Sequence, residues 1–319
     1  MRNVMLVALG CAIAGIAAAQ SYPSRVIRMI VPFPPGGGSD YMARVIQSRL
    51  SDSLGQQIVI DNRGGAGGTV GSDMAAKATP DGYTIVMGSV ATHAIASTLY
   101  KKLPYDPIKD FTAIAPVGSM PHILVVHPTL NVKTAQELIA LAKAKPGEVN
   151  YASAGSGSVG HLTVELFKSM AGIDLRHIPY KGSGPALADL AGGQVKVMFD
   201  TLPTGLPHVK SGRLRGLAVS SAKRAPAAPE VPPLAEVGVP GFEVRGWYGI
   251  LAPAGTPSSA VRALNAAIVK IARLPEVRDL MISQGAEPMI ASAEEFSDYL
   301  KQEVRKWGDV VRKSGAQVD

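Results

Sequence analysis

The sequence predicts an α/β protein of two similar lobes joined by a hinge, and three observations carry that expectation. A strand, a glycine loop and a helix open the chain behind its leader, the same grammar returns about 120 residues later, and two segments carry the chain from one half to the other and back. A length of 319 residues suits two domains, and with 46% apolar and 18% charged residues there is ample material for buried cores.

The N-terminus has Arg2, an uncharged apolar stretch from Val4 to Ala19, and Ala17-Ala18-Ala19 as a small-x-small cleavage pattern. It reads as a secretory signal peptide over 1–19, because the stretch is shorter than the roughly 20 residues of a spanning helix and no basic stop-transfer group follows. A lipoprotein site at Cys11 is disfavoured by Ala8, where Leu is usual. Cleavage after Ala19 removes Cys11, the only cysteine, so a periplasmic mature chain without thiol or disulfide chemistry is expected.

In the first half, VIRMIVPF (26–33) is a strand that stops at Pro34-Pro35 and Gly36-Gly37-Gly38. Ser39-Asp40 then caps a helix through Tyr41, Val45 and Leu50 that closes near Gly55. QQIVIDN (56–62) is the second strand, Gly64-Gly65-Ala66-Gly67-Gly68 a further loop before a helix, and DGYTIVMGS (81–89) the third strand. In the second half, the strand VNYASAG (149–155) leads into Ser156-Gly157-Ser158 and a helix from His161 to Met170. IDLRHIPY (173–180), the loop from Lys181 to Pro185, a helix to Leu190 and QVKVMFD (194–200) complete the echo. Gly36 corresponds to Gly155, an offset of 119 residues, far longer than solenoid repeats.

FTAIAPVGSMPHILVVHP (111–128) makes one crossing and the Pro-rich segment 216–253 the other, so lobe 1 is expected over 20–120 and 240–319 and lobe 2 over 121–239. Thr256 as cap and Pro257 start a helix with Val261, Leu264, Ile268 and Ile271 on one stripe. Ser292 and Glu295 form a capping box for a last helix striped by Phe296, Tyr299, Leu300, Val304 and Trp307, which makes Trp307 a core residue.

Lys plus Arg number 32 against 25 Asp plus Glu, a formal charge of +7, but the basic residues are scattered and only 5% of residues are aromatic. Neither a phosphate-tracking stripe nor a base-stacking platform can be drawn, so no nucleic-acid partner is expected. Gly155 to Gly160 match G-x-G-x-x-G between a strand and a helix, yet the acidic residue expected at the end of the next strand is missing, so neither a nucleotide nor any other cofactor is expected. What remains is an anion cradle, in which small residues let backbone N–H groups approach a carboxylate or phosphate at a helix N-terminus. The six histidines show no metal-ligand spacing, and no G-x-S-x-G elbow or Walker loop occurs. His161 opens the second-half helix and either faces a ligand or packs. Arg63 and Lys181 follow the second strand of each half and either attract an anion or are solvated, while Asp40 and Asp200 either bind an ammonium group or cap N–H groups.

The runs VPFPPGGGSDYMAR, IDNRGGAGGTVGSDMAAKATPDGYTIVMG, YASAGSGSVGHLTVELFKSMAGIDLRHIPYKGSGPALADLAGGQVKVMFD, SGRLRGLAVSSAKR and GWYGILAPAGTP together resemble the Bug (TctC-like) extracytoplasmic solute receptors of tripartite tricarboxylate transporters, across essentially the whole mature chain. The resemblance implies a type II periplasmic-binding-protein fold, with lobe 1 completed by the C-terminal helices. It also implies a small carboxylate ligand held by backbone N–H groups, hydroxyls and ordered water at the two glycine loops. Carried onto this chain, it marks Phe33, Gly37, Gly38, Ser39 and Asp40 in the first loop, and Ser89 and Thr92 after the third strand. From the second half it marks Ser153, Gly155, Ser156, Gly157 and His161, with Tyr180, Lys181, Asp200 and Thr201 nearby. Pro35 before Gly36 is extra relative to many such receptors. The resemblance leaves the acid open among amino acids, dicarboxylates, tricarboxylates and aromatic acids. The expected protein is a monomeric, non-enzymatic receptor whose partners are membrane transporter subunits. The alternatives are a ligand-sensing partner of a membrane kinase and a secreted α/β enzyme acting on a small carboxylate, which needs a positioned nucleophile or acid/base pair that the motifs do not supply.

Overall fold

The computed structural model describes residues 22–314 and 316. The signal-peptide segment, Cys11 and the cleavage point after Ala19 lie outside the described residues.

The opening unit is β1 (Ile27–Val31), α1 (Gly38–Leu54), β2 (Ile58–Asn62), α2 (Thr69–Ala76) and β3 (Thr84–Ser89), followed by a π-helical turn over Ala91–Ile95 and the short α3 (Ala96–Leu99). The long strand β4 (Phe111–Val126) leads to α4 (Ala135–Ala144), β5 (Asn150–Ser153), α5 (Val159–Ala171), β6 (Arg176–Pro179), α6 (Ser183–Ala191), β7 (Val197–Thr201), α7 (Leu202–Lys210) and β8 (Arg215–Val219). The chain returns through β9 (Arg245–Pro253) and ends in α8 (Ser258–Ala272), α9 (Pro275–Ser283), β10 (Glu287–Pro288) and α10 (Ala293–Ser314).

The internal echo is visible in the sheet. Its strand order is β2-β1-β3-β9-β4-β7-β5-β6, so β2-β1-β3 on one side is mirrored by β6-β5-β7 on the other, each trio parallel. At the centre β4 changes partners. Its residues 111–121 pair with β9 and His122 to Val126 pair with β7, which makes the turnover between Pro121 and His122 the point where one half passes into the other. The return passage lies beside it, where Val244 N–H donates to the Ser220 carbonyl at 2.8 Å. Since each parallel strand feeds a helix at its carboxyl end, the ends of β1, β3, β5 and β7 face one another across this centre.

Each half has its own apolar cluster. Met29, Met42, Leu50, Ile85 and Leu264 belong to the first, and Ile123, Leu187, Leu190, Met198 and Leu202 to the second. A larger cluster runs through both halves, from Ile95 and Leu99 to Tyr151, Phe167 and Phe199, and it includes Trp247, Phe296 and Trp307. Trp307 is 2% exposed, so it is core, on the stripe that the heptad-like spacing predicts.

Three local starts differ from the sequence reading. The N-cap of α1 is Gly37, with Ser39 and Asp40 inside the first turn. Helix α5 begins at Val159, two residues before His161, because the Ser158 hydroxyl accepts the His161 N–H at 3.3 Å. Thr256 does not cap α8: its hydroxyl donates back to the Pro253 carbonyl at 2.8 Å, and Pro257 occupies the cap position. The capping box of α10 is present as read, with Ser292 N–H on Glu295 at 2.7 Å and Glu295 N–H on the Ser292 hydroxyl at 3.1 Å. Ser292→Ala is expected to cost about 1 kcal/mol in urea unfolding, and a loss under about 0.3 kcal/mol would mean that α10 starts independently of its box.

Candidate functional site

The two strand–glycine loop–helix units end at one cavity, which spans about 510 Å³ of space between atoms, part of it open to solvent. The first unit contributes Phe33, Gly37, Gly38 and Ser39, and β3 contributes Ser89. From the second come Ser158 and Gly160, then Ser183, Asp200 and Thr201. Four helices therefore start at this wall: Gly38 opens α1, Ser158 caps α5, Ser183 opens α6 and Thr201 is the N-cap of α7. First-turn N–H groups have no partner within their helix and carry the positive end of its dipole, so the cavity is preset for an anion. Among the described residues, no Lys or Arg lines it.

An outer cavity of about 1390 Å³ shares Phe33, Pro34 and Ala154 with the inner one. It is lined by the glycine loop 64–68, Tyr100, Gly155, Ser156, Tyr180 and Lys181, the last being the one Lys or Arg in either lining among the described residues. The halves touch across its mouth. Tyr100 Oη donates to the Ala66 carbonyl at 2.7 Å and reaches the Ser156 carbonyl at 3.4 Å. Gly67 packs so closely that a Cβ there would lie 2.6 Å from the Ser156 carbonyl oxygen. At Gly155 and Gly157, φ values of +125° and +83° give this loop a backbone that side-chain-bearing residues rarely adopt.

Five of the residues marked in the sequence lie in neither wall. The Asp40 carboxylate accepts from Gly36 N–H at 3.0 Å, Arg44 at 2.9 Å and Asn62 at 3.1 Å. Burial pushes its pKa up, but those hydrogen bonds and the Arg44 charge outweigh burial and hold it below the ordinary range, so Asp40 ties down the first loop. Thr92 bonds its hydroxyl to His93 Nδ1 at 2.8 Å beneath Ser89. Ser153, Gly157 and His161 form the underside of the second loop. His161 Nδ1 accepts the Gly157 N–H at 3.2 Å, and its ring stacks on His177 at 4.2 Å. Ser153 Oγ bonds His177 Nε2 at 2.7 Å and accepts the Gly155 N–H at 3.1 Å. Burial holds both imidazoles down at about 4, so the pair is neutral at neutral pH and can stack without repulsion.

Asp200 is fully buried and caps as well, accepting from the Ser183 hydroxyl at 2.9 Å and from Thr204, which joins the starts of α6 and α7. Burial raises its carboxyl to about 6, against partial lowering by those hydrogen bonds. The stability contributed by keeping this acid protonated is full below its ordinary value of 3.8 and is lost as pH rises through about 6. Asp200→Asn, which never ionises, is therefore expected to gain on the wild type in melting temperature between about pH 4 and about pH 8, and a gain that does not grow with pH would contradict the raised acid.

The wall also holds polar side chains that the sequence reading does not mark, among them His122 from β4, Ser183 at the start of α6 and Tyr248 from β9. Tyr248 crosses the cavity floor, so a Cβ on Gly38 would meet its hydroxyl at 2.5 Å and Thr201 Cγ2 at 2.8 Å.

A sequence model of the tripartite tricarboxylate transporter family receptor (TctC) matches residues 42–316. The chain belongs to that family. This receptor is 42% identical over 321 residues to protein BugT of Bordetella pertussis (strain Tohama I), spanning 99% of this chain and 98% of BugT. Among solved structures, R. palustris Rpa4515 with adipate matches at a TM-score of 0.91 and 38% identity, covering 93% of this chain and all (100%) of that one. MatC (Rpa3494) from Rhodopseudomonas palustris, with bound malate, matches at a TM-score of 0.87 and 35% identity, covering 91% of this receptor and 100% of its own chain. The two-lobed periplasmic-binding-protein fold expected from the sequence is the fold of this receptor.

Proposed function

We propose that this receptor captures a small carboxylate in the cleft between its lobes and presents it to the membrane subunits of a tripartite tricarboxylate transporter. The observation that carries this reading is the inner cavity, where four helix starts converge and, among the described residues, no Lys or Arg is present. Such a site binds an anion through fixed backbone donors, with no flexible side chain to order. Adipate in Rpa4515 and malate in MatC make dicarboxylates the first ligands to try. In this reading residues 1–19 are removed on export, the mature protein works in the periplasm as a monomer, and the bound acid is released unchanged. Its lobes are 20–120 with 240–319, and 121–239, hinged where β4 changes partners.

A thermal-shift screen of mono-, di- and tricarboxylates, amino acids and aromatic acids tests the reading. A ligand at about 100 times its dissociation constant adds about 2.7 kcal/mol of stability. No stabilisation by any acid would refute the reading, and a turnover product in the mixture would replace the receptor by an enzyme. Small-angle scattering adds a second expectation. Since Tyr100 and Gly67 close the mouth only when the halves meet, the free protein should show a larger radius of gyration than the liganded one. Identical curves at saturation would mean that no hinge motion accompanies capture.

A further inference from the structure

His122 stands apart in the inner cavity. The residue forms part of the wall and is 2% exposed, and its Nδ1, shut off from solvent, has no hydrogen-bond partner. A buried polar nitrogen that has lost water without gaining a partner is costly, so the position calls for a group that the protein itself does not supply. The ring has little room to withdraw. His122 N–H donates to Ser220 Oγ at 2.7 Å, and the residue faces Thr201 in the β4–β7 ladder at the crossing between the halves. Its Cε1 edge lies against Gly246, where a Cβ would be 3.5 Å from it and 3.7 Å from Tyr248 Oη.

The elements packed around it bring no counter-charge for an anion. From β7 comes Asp200, committed to Ser183 and Thr204. From β9 comes Tyr248, whose phenol burial keeps neutral, and β8 is followed by Ser220, which does not titrate. Arg245, beside Pro121 on β9, is held by Glu287 at 3.0 Å. His122 is thus the one residue of the inner wall, among the described residues, that can become a cation.

We propose that His122 is a ligand-contacting residue that determines specificity: it donates a hydrogen bond to the acid in the inner cavity and takes up one proton from solvent as that acid binds. This rests on the carboxylate reading above. Burial holds the free imidazole down at about 4, so it is neutral at neutral pH, and a carboxylate placed against it raises its proton affinity. Affinity therefore climbs as pH falls, by up to about tenfold per pH unit for one proton. Acids that bring a free carboxylate to this floor are favoured over the corresponding amides, which gain nothing from the proton.

The test uses the full mature chain labelled with [15N]histidine, the His122 signals being assigned through His122→Gln, or His122→Asn if the first variant does not fold. Imidazole nitrogens are followed between about pH 8 and about pH 5, alone and with malate or adipate, and the same samples are melted with and without acid. The expected result is a higher melting temperature with acid, a His122 titration moved to higher pH, and a near tenfold gain in affinity per pH unit that falls below about twofold in the variant. Stabilisation by acid with an unmoved His122 titration overturns the inference and leaves the carboxylate reading standing. So does a pH dependence that survives in the variant, which would assign the proton to Asp200. If neither acid stabilises the wild type at any concentration, the dicarboxylate form of the reading fails and the inference fails with it.

Discussion

Replacing Gly38 by alanine is expected to weaken capture of the acid by about tenfold and to lower the stability of the free protein by about 1 kcal/mol. The added methyl would sit 2.5 Å from Tyr248 Oη, in the same lobe as α1, and 2.8 Å from Thr201 Cγ2, across the cleft. Tyr248 is 4% exposed and anchored in the central strand β9, so its ring cannot swing away, and Thr201 is fixed at the start of α7. Overpacking of this kind costs about 1–3 kcal/mol; the Thr201 share of it falls on the closed, liganded form because opening the cleft relieves that contact, while the Tyr248 share lies within one lobe and is present open or closed. The φ at Gly38 is not in the left-handed region, so the effect is one of contact and not of backbone strain. Calorimetric titration of the variant with adipate and malate checks it. Binding within twofold of wild type would show that the lobes need not approach this closely around the ligand.

Glu303→Ala is expected to destabilise the protein by about 2–4 kcal/mol, because it leaves two buried indole N–H groups without an acceptor. Trp247 and Trp307 both donate to Glu303 Oε2, at 3.1 Å and 3.0 Å, and Glu303 itself is 5% exposed. One carboxylate thus fastens α10 to β9 at the back of the central sheet. These are the only two tryptophans in the sequence, so fluorescence during urea unfolding reports the site directly. Glu303→Gln keeps one acceptor and should lose about half as much. A loss below about 1 kcal/mol for the alanine variant would mean that water replaces the carboxylate there.

The doubled α/β grammar was legible because it is local. Strand runs such as VIRMIVPF (26–33) and QVKVMFD (194–200), and the glycine loops after them, carry period and punctuation in adjacent residues, and β2-β1-β3 with β6-β5-β7 repeats them in space. Helix α7 escaped reading because LPTGLPHVK contains two prolines and a glycine, breakers that its packing on β4 and β8 overrides. His122 and Tyr248 were invisible as site residues for another reason: each lies in a run that reads as a buried strand, and only the β4–β7 and β4–β9 registers bring them to the cavity. Conversely, His161, Ser153 and Asp40 stand beside the glycine loops in sequence, yet their side chains hold the loops from beneath. Proximity in sequence located the loops, while the direction of each side chain depended on neighbours that are remote along the chain. The separate lobe cores suggested by the repeat are also joined on one face, since the cluster around Trp307 runs through both halves.

The claim at the centre of this account is that fixed backbone donors at helix starts, and not a lysine at the mouth, hold the carboxylate. Titration calorimetry of the wild type and Lys181→Ala with the best-binding acid, repeated at low and high salt, tests it most directly. Lys181 lines only the outer cavity and is solvated on a flexible stem, so its loss should weaken binding by less than about fivefold, on the scale of an exposed charge partner. The affinity that remains should depend little on salt, because the inner cavity lies within the protein and its donors are screened far less than a surface charge. Abolished binding in Lys181→Ala, or a wild-type affinity that collapses in high salt, would contradict the account and put a surface salt bridge in place of the helix starts.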